Sequence, residues 1–363
     1  MARKKISGIT RRNLVKIMGA GPALIAVPEI LVPRKARAAD RIVARDPGGP
    51  FEKAMKEAYH IPFQKATGIE VVGVTAAHEP IALIKGMVET KNFQWDAVIL
   101  SAYTQETLAA QNMLEPLGFE NDPIVNEVAP HLRTPYIVGN YVWATVLAYR
   151  TDVYPAKGKV PSGGWKDMWD MKGIPGRRAL RKYPVDSLEP ALMADGVAND
   201  KVYPLDLDRA FKSLDKIKKD VAVWWSGGAQ SSQLLKVGEV DMCVAWNGRA
   251  QAVIDEGAPV GISWNQATYS YDGWTIPKGN PKAELVRKFI RFASEAKNQA
   301  VLTQHVAYGP TNVNGMKFVD EKRKLALPTN PEFQKNMVKN DQAYWAKNQE
   351  KVLERFNAWV ASA

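Results

Sequence analysis

Between Arg41 and Met113, short β-branched or apolar runs alternate with stretches of helical periodicity, and this alternation restricts the fold more than any other feature of the chain. Arg41–Ala44 predicts a first strand. Phe51, Met55, Ala58 and Tyr59 then recur on one face of a helix, which leaves Glu52, Lys53, Lys56 and Glu57 outward. Thr67-Gly68 stops that helix, and Ile69–Val74 predicts a second strand. A helix around Pro80–Glu89, a strand over Trp95–Leu100 and a helix running toward Met113 complete the pattern. Strands joined by helix-length crossovers pair in parallel, so the expectation is α/β, a parallel sheet covered by helices.

The remainder continues in the same style. Tyr141–Tyr149 is long, apolar and β-rich, and reads as a crossing between two lobes. Arg178–Arg181, Val221–Trp225 and Val240–Trp246 predict further strands, with helices after Ser187, over Leu207–Lys219, from Ala229 to Lys236 and from Arg249 to Glu256. One helix is expected from Glu284 to His305 and one long helix near Glu332–Val360. A chain of 363 residues has room for two such lobes.

Candidate chemistry is densest between Val240 and Gly279. Five of the eleven Trp fall between Trp224 and Trp274, and Asp272 sits in sequence among Tyr269, Tyr271 and Trp274. Ring faces and a carboxylate both favour positive charge, so such a cluster suits an organic cation. Packing is the competing account of each ring, and of Trp264 and Trp274 in particular.

Net charge misleads until it is located. The formal +11 includes nine Lys and Arg in residues 1–38, against Glu29 alone; the rest holds 40 basic and 37 acidic residues, a net +3. A nearly balanced body gives no electrostatic footprint for nucleic acid. The basic start, Arg11-Arg12, the mildly apolar Ile17–Val32 and Ala36-Arg37-Ala38 have the form of a twin-arginine export signal cleaved near Ala38. The expected destination is the periplasm. Cys243, the single cysteine, lies in an apolar run and reads as a small buried hydrophobe.

Catalytic patterns are sparse. His60, His78, His131 and His305 are scattered without metal-ligand spacing, and there is no Gly-x-Ser-x-Gly, Walker-type loop or GxGxxG after the first strand. Ser226-Gly227-Gly228, between a strand and a helix, either presents N–H groups to an anion or makes a plain tight turn. Binding signals are stronger. Open α/β sheets bind ligands beyond the carboxyl ends of their strands, a rule that selects Asp46, Tyr103, Tyr183, Trp225, Ser226, Trp246, Tyr271 and Asp272.

In order along the chain, the exported leader, Asp46-Pro47-Gly48-Gly49, Pro62-Phe63 with Thr67-Gly68, Asp96 with Ser101-Ala102-Tyr103, Trp246-Asn247-Gly248, Tyr271-Asp272 with Ile276-Pro277, and Tyr308–Asn312 resemble the spermidine/putrescine group of ABC-transporter solute-binding proteins. The resemblance implies a type II periplasmic binding protein, each lobe a mostly parallel sheet flanked by helices, with the ligand cleft between lobes. The expected division is a signal peptide over 1–38, one lobe from 39–149 plus 277–316, and a second from 150–276 plus 317–363. It further implies a monomeric receptor without catalytic activity or cofactor, handing a small amine to a membrane permease. Tyr103, Trp246, Asp272 and Tyr308 match positions lining the family's amine cleft, with Asp272 on the ammonium. The chain departs from the polyamine pattern at Arg181-Lys182-Tyr183, where those receptors place further acids. Arg249 either enters the cleft or starts an exposed helix. With Arg181 or Arg249 inside, the ligand becomes an amino-carboxylate of the γ-aminobutyrate type rather than a diamine.

Overall fold

The computed structural model describes residues 40–76, 80–154 and 161–362; the export signal read from residues 1–38 lies outside the described residues. Among the described residues, eleven strands form one mixed sheet: β1 Arg41–Asp46, β2 Glu70–Thr75, β3 Ala97–Ser101, β4 Arg133–Thr134, β5 Ile137–Arg150, β6 Arg178–Arg181, β7 Val221–Trp225, β8 Met242–Trp246, β9 Val260–Thr275, β10 Gly309–Pro310 and β11 Val338–Lys339. The spatial order of the main path is β2-β1-β3-β9-β5-β8-β6-β7. Each flank follows from its sequence pattern. β1 pairs in parallel with β2 and β3, and β6 pairs in parallel with β7 and β8, each connected through helices.

The middle is different. β5 and β9 are antiparallel to each other, and they join the two parallel flanks. At its carboxyl end β9 pairs with β3, from Asp272 to Thr275, while β5 pairs with β8 from Thr145 to Tyr149. Two hydrophobic clusters sit on the flanks. One gathers Ile42, Phe63, Trp274 and Phe289; the other gathers Leu180, Leu214, Met242, Trp345 and Phe356.

One stretch without a predicted element and two predicted helices resolve differently. The aromatic stretch after Val260 is a 16-residue strand, irregular where Thr268 pairs with Thr145 but Ser263 pairs with Leu147, and Gln266 there has φ +61. The helix expected over Glu284–His305 is two, Ala283–Ala293 and Ala296–His305, because Glu295 between them is extended. The long helix expected from Glu332 begins at Gln342, capped by Asp341 accepting from Tyr344 N–H. Before it, Val338–Lys339 pairs with Thr268–Tyr269, so ladder bonds override local helical preference. Among the described residues no helix is long and apolar enough to cross a membrane.

Candidate ligand-binding cleft

Four strands end at one place. β1 delivers Pro47 and the helix beginning at Pro50, β6 delivers Arg181, β7 delivers Ser226-Gly227-Gly228, and β8 delivers Trp246 and Arg249. The crossing strands add Tyr141, Trp143 and Asp272 from along their length, and Tyr103, Phe51 and Tyr308 complete the wall. The cavity they enclose is about 220 Å³. Drug-sized ligands occupy roughly 300–1,000 Å³, so this one is scaled to a metabolite of few heavy atoms.

Part of the cavity wall is acidic and aromatic. Asp272 Oδ2 accepts from the Tyr141 hydroxyl at 2.9 Å and Oδ1 from Trp143 Nε1 at 2.7 Å, so donors fix the carboxylate in place. Phe51, Tyr141 and Tyr308 pack as a trio with centroid separations of 5.1, 5.3 and 5.7 Å. Burial raises the Tyr308 phenol; Arg249 acts against that shift, while Asp272 and Asp186 add to it, so Tyr308 feels all three charges. Asn247 positions this wall: its side-chain oxygen accepts from Ala144 N–H and its amide donates to Ala307 C=O, beside Tyr308.

Another part of the wall is basic. Gly228 opens a nine-residue helix, and the first N–H groups of a helix lack intrahelical partners. A Cβ on Gly228 would lie 2.8 Å from the Trp246 ring and 3.0 Å from Arg249 Nε, so glycine is what lets both side chains lie against this turn. The half-buried Arg249 guanidinium lines the cavity and has no hydrogen bond or ion pair among the described residues. Arg181 is differently placed. Its Nη1 donates to Asp186 at 2.7 Å, and its guanidinium lies 4.6 Å from the Tyr183 ring and 4.9 Å from the Trp246 ring.

Of the residues expected from sequence, Tyr103, Ser226, Trp246, Arg249, Asp272 and Tyr308 line the cavity. Four stand behind it. Asp46 is buried, its Oδ1 accepting from Gly48 N–H, and it shapes the Pro47 turn. Trp225 is fully buried, donates to Val244 C=O and supports Trp246 edge-on at 5.5 Å. Tyr271 is buried next to Asp272, and alternation along a strand turns it to the opposite face. Tyr183 accepts from Gln349 and stacks beneath Arg181. Pro47, Phe51, Tyr141 and Trp143 were not among those residues, and Gly228 was read only as part of the Ser226-Gly227-Gly228 turn. A Gly-Gly turn ahead of a helix was the available signal for Gly228; nothing local marks Tyr141 and Trp143, which lie inside a strand.

The pocket lies where the two parallel flanks meet the crossing strands, and its described lining is aromatic and polar with both signs of charge. A match to the bacterial extracellular solute-binding proteins covers residues 58–315, and the chain belongs to that family. It is 33% identical over 322 residues to the γ-aminobutyric acid-binding protein of Pseudomonas aeruginosa, an overlap of 86% of this chain and 89% of that one. Among solved structures, an ABC transporter substrate-binding protein from Bradyrhizobium japonicum is 37% identical with a TM-score of 0.83, over 88% of this chain and 99% of that one. A γ-aminobutyric acid (GABA) receptor is 34% identical with a TM-score of 0.82, over 89% and 98%. The spermidine/putrescine-binding periplasmic protein of Escherichia coli is more distant, 22% identical over 71% of this chain and 74% of that one. The fold is thus that of the type II periplasmic binding proteins. The polyamine expectation is supported by relatives of 22% identity, whereas the relatives named for GABA are 33% and 34% identical.

Proposed function

We propose that the chain is the periplasmic receptor of an ABC importer for an ω-amino carboxylate of the GABA type. The observation carrying this reading is Arg249, a guanidinium without a described protein partner, lining the same cavity as Asp272. The ligand ammonium sits at Asp272 among the faces of Tyr141, Trp143 and Tyr308. Its carboxylate sits between the Arg249 fork and the start of the Gly228–Lys236 helix. A diamine places a cation against Arg249, which is repulsive in a partly desolvated site. The two relatives named for GABA agree with this reading.

In this reading one lobe comprises 39–149 plus 277–316 and the other 150–276 plus 317–363; they close on the ligand, and the loaded receptor docks on a membrane permease. The chain reaches the periplasm through the twin-arginine route and works as a monomer. It carries no catalytic activity. Ser226 N–H donates to Gln230, and the Ser226 turn serves the ligand as an anion contact rather than as a nucleophile. A thermal-shift panel of ω-amino acids, diamines and longer polyamines tests the reading. At a hundredfold excess over Kd a ligand stabilises by roughly 2.7 kcal/mol, a shift of several degrees. The expected result is a shift with 4-aminobutanoate and none with 1,4-diaminobutane; the reverse would sink the proposal.

A further inference from the structure

Two arginines line the cavity, and they are not equivalent. Arg249 has no described partner, whereas Arg181 is tied to Asp186. Asp186 is fully buried in the loop after β6 and has φ +74, a region L-residues seldom occupy. Its carboxylate has three donors. Oδ1 accepts from Thr145 Oγ1 at 2.6 Å, and Oδ2 accepts from Arg181 Nη1 at 2.7 Å and Trp246 Nε1 at 3.0 Å. Its backbone N–H donates to Glu189 at 3.2 Å. One buried carboxylate therefore touches β5, β6 and β8, including two side chains of the cavity wall.

Charge makes the arrangement more than a brace. An arginine stays protonated at every working pH. Without Asp186 the cavity would present two guanidinium charges against the one carboxylate of Asp272. With it, one cation and one anion remain to be matched by ligand.

We infer that Asp186 is a positioning residue that sets selectivity: by cancelling the charge of Arg181 and holding it beside Trp246, it restricts the cavity to ligands with one carboxylate and one amine. The inference rests on the amino-carboxylate reading above. Arg181 retains the means to recognise a second carboxylate, since its buried Nε has no hydrogen-bond partner among the described residues. Asp186 prevents that use by supplying the carboxylate itself.

The test compares binding of 4-aminobutanoate with that of glutamate, which carries one more carboxylate. Asp186→Asn removes the charge while keeping a residue type tolerant of positive φ, and Asp186→Gly removes it with no backbone strain. In each, the ratio of glutamate to 4-aminobutanoate affinity should rise at least about tenfold relative to the parent protein, on the scale of a charge-assisted hydrogen bond. Adding Arg181→Met to Asp186→Asn should return the ratio to the parent value, because the uncovered cation is gone. A merely structural role lowers both affinities together, and an unchanged ratio in whichever variants fold overturns the inference. Failure of the parent protein to bind 4-aminobutanoate at all strikes the function reading instead, so the two failures are distinguishable.

Discussion

At the scale of single residues, the cleft separates into charges that meet the ligand and charges that arrange the wall. In the proposed reading Arg249 and Asp272 belong to the first kind. Hydrogen bonds to a charged partner contribute roughly 1.5–3 kcal/mol, so Arg249→Gln should weaken amino-carboxylate binding by about 10–150-fold in a calorimetric titration. Asp272→Ala should abolish it, because the Tyr141 hydroxyl and Trp143 Nε1 lose their acceptor together with the ligand amine. Full affinity in either variant would remove that residue from the site. Trp246 and Ser226 were legible because each ends or follows a recognisable strand run, and Asp272 because it is a carboxylate among aromatic residues in sequence, although it lies inside β9. Tyr183 and Trp225 satisfied the same rule yet stand behind the wall, since a position after a strand does not determine which way a ring turns. The side of Arg249 was undecidable from sequence; it depends on Gly228, a residue of a different strand-helix unit.

At the scale of elements, the site depends on close approach between the turns after β7 and β8. Gly228 is the contact point. Its missing Cβ leaves room for Trp246 and Arg249, so Gly228→Val should push both aside. The expected outcome is a loss of ligand affinity of tenfold or more with a circular-dichroism spectrum like that of the parent protein; retained affinity would show that neither side chain needs this turn. The parallel flanks were readable because their strands are short and separated by amphipathic helices. The crossing strands were only half readable. Tyr141–Tyr149 announced β5 through continuous apolar character, but β9 has Asn265, Gln266 and Asp272 in its length and no simple alternation. Its pairing comes from β5, β3 and β11, all distant in sequence. For the same reason the segment before Gln342 escaped notice as a strand.

For the whole molecule, buried titratable groups couple stability to pH. Burial pushes the Glu189 carboxyl up to about 7, against the opposing hydrogen bond from Tyr203 and with Asp186 adding to the shift. The native state thus holds this proton more tightly than the unfolded chain, in which a Glu titrates near 4.3. Its contribution to stability is complete below that pH and is lost as pH rises through about 7. His60, pushed down to about 4 by burial, works oppositely and adds stability as pH rises from about 4 to the ordinary His value near 6.5. It is common to both proteins in a comparison with Glu189→Gln. That variant should lose less melting temperature than the parent between pH 5 and pH 8, and an equal loss would contradict the assignment.

The receptor architecture itself was legible at this scale, from motifs in register along the chain and from the near-neutral body once the basic leader was set aside. The ligand class was less so, because it turns on which guanidinium meets solvent in the cleft, a matter of packing. Calorimetric titration of the parent protein with 4-aminobutanoate and with 1,4-diaminobutane, at neutral pH and one salt concentration, tests that central claim most directly. The account predicts saturable 1:1 binding of the amino acid and at least a hundredfold weaker binding of the diamine. Equal or tighter binding of the diamine would contradict it.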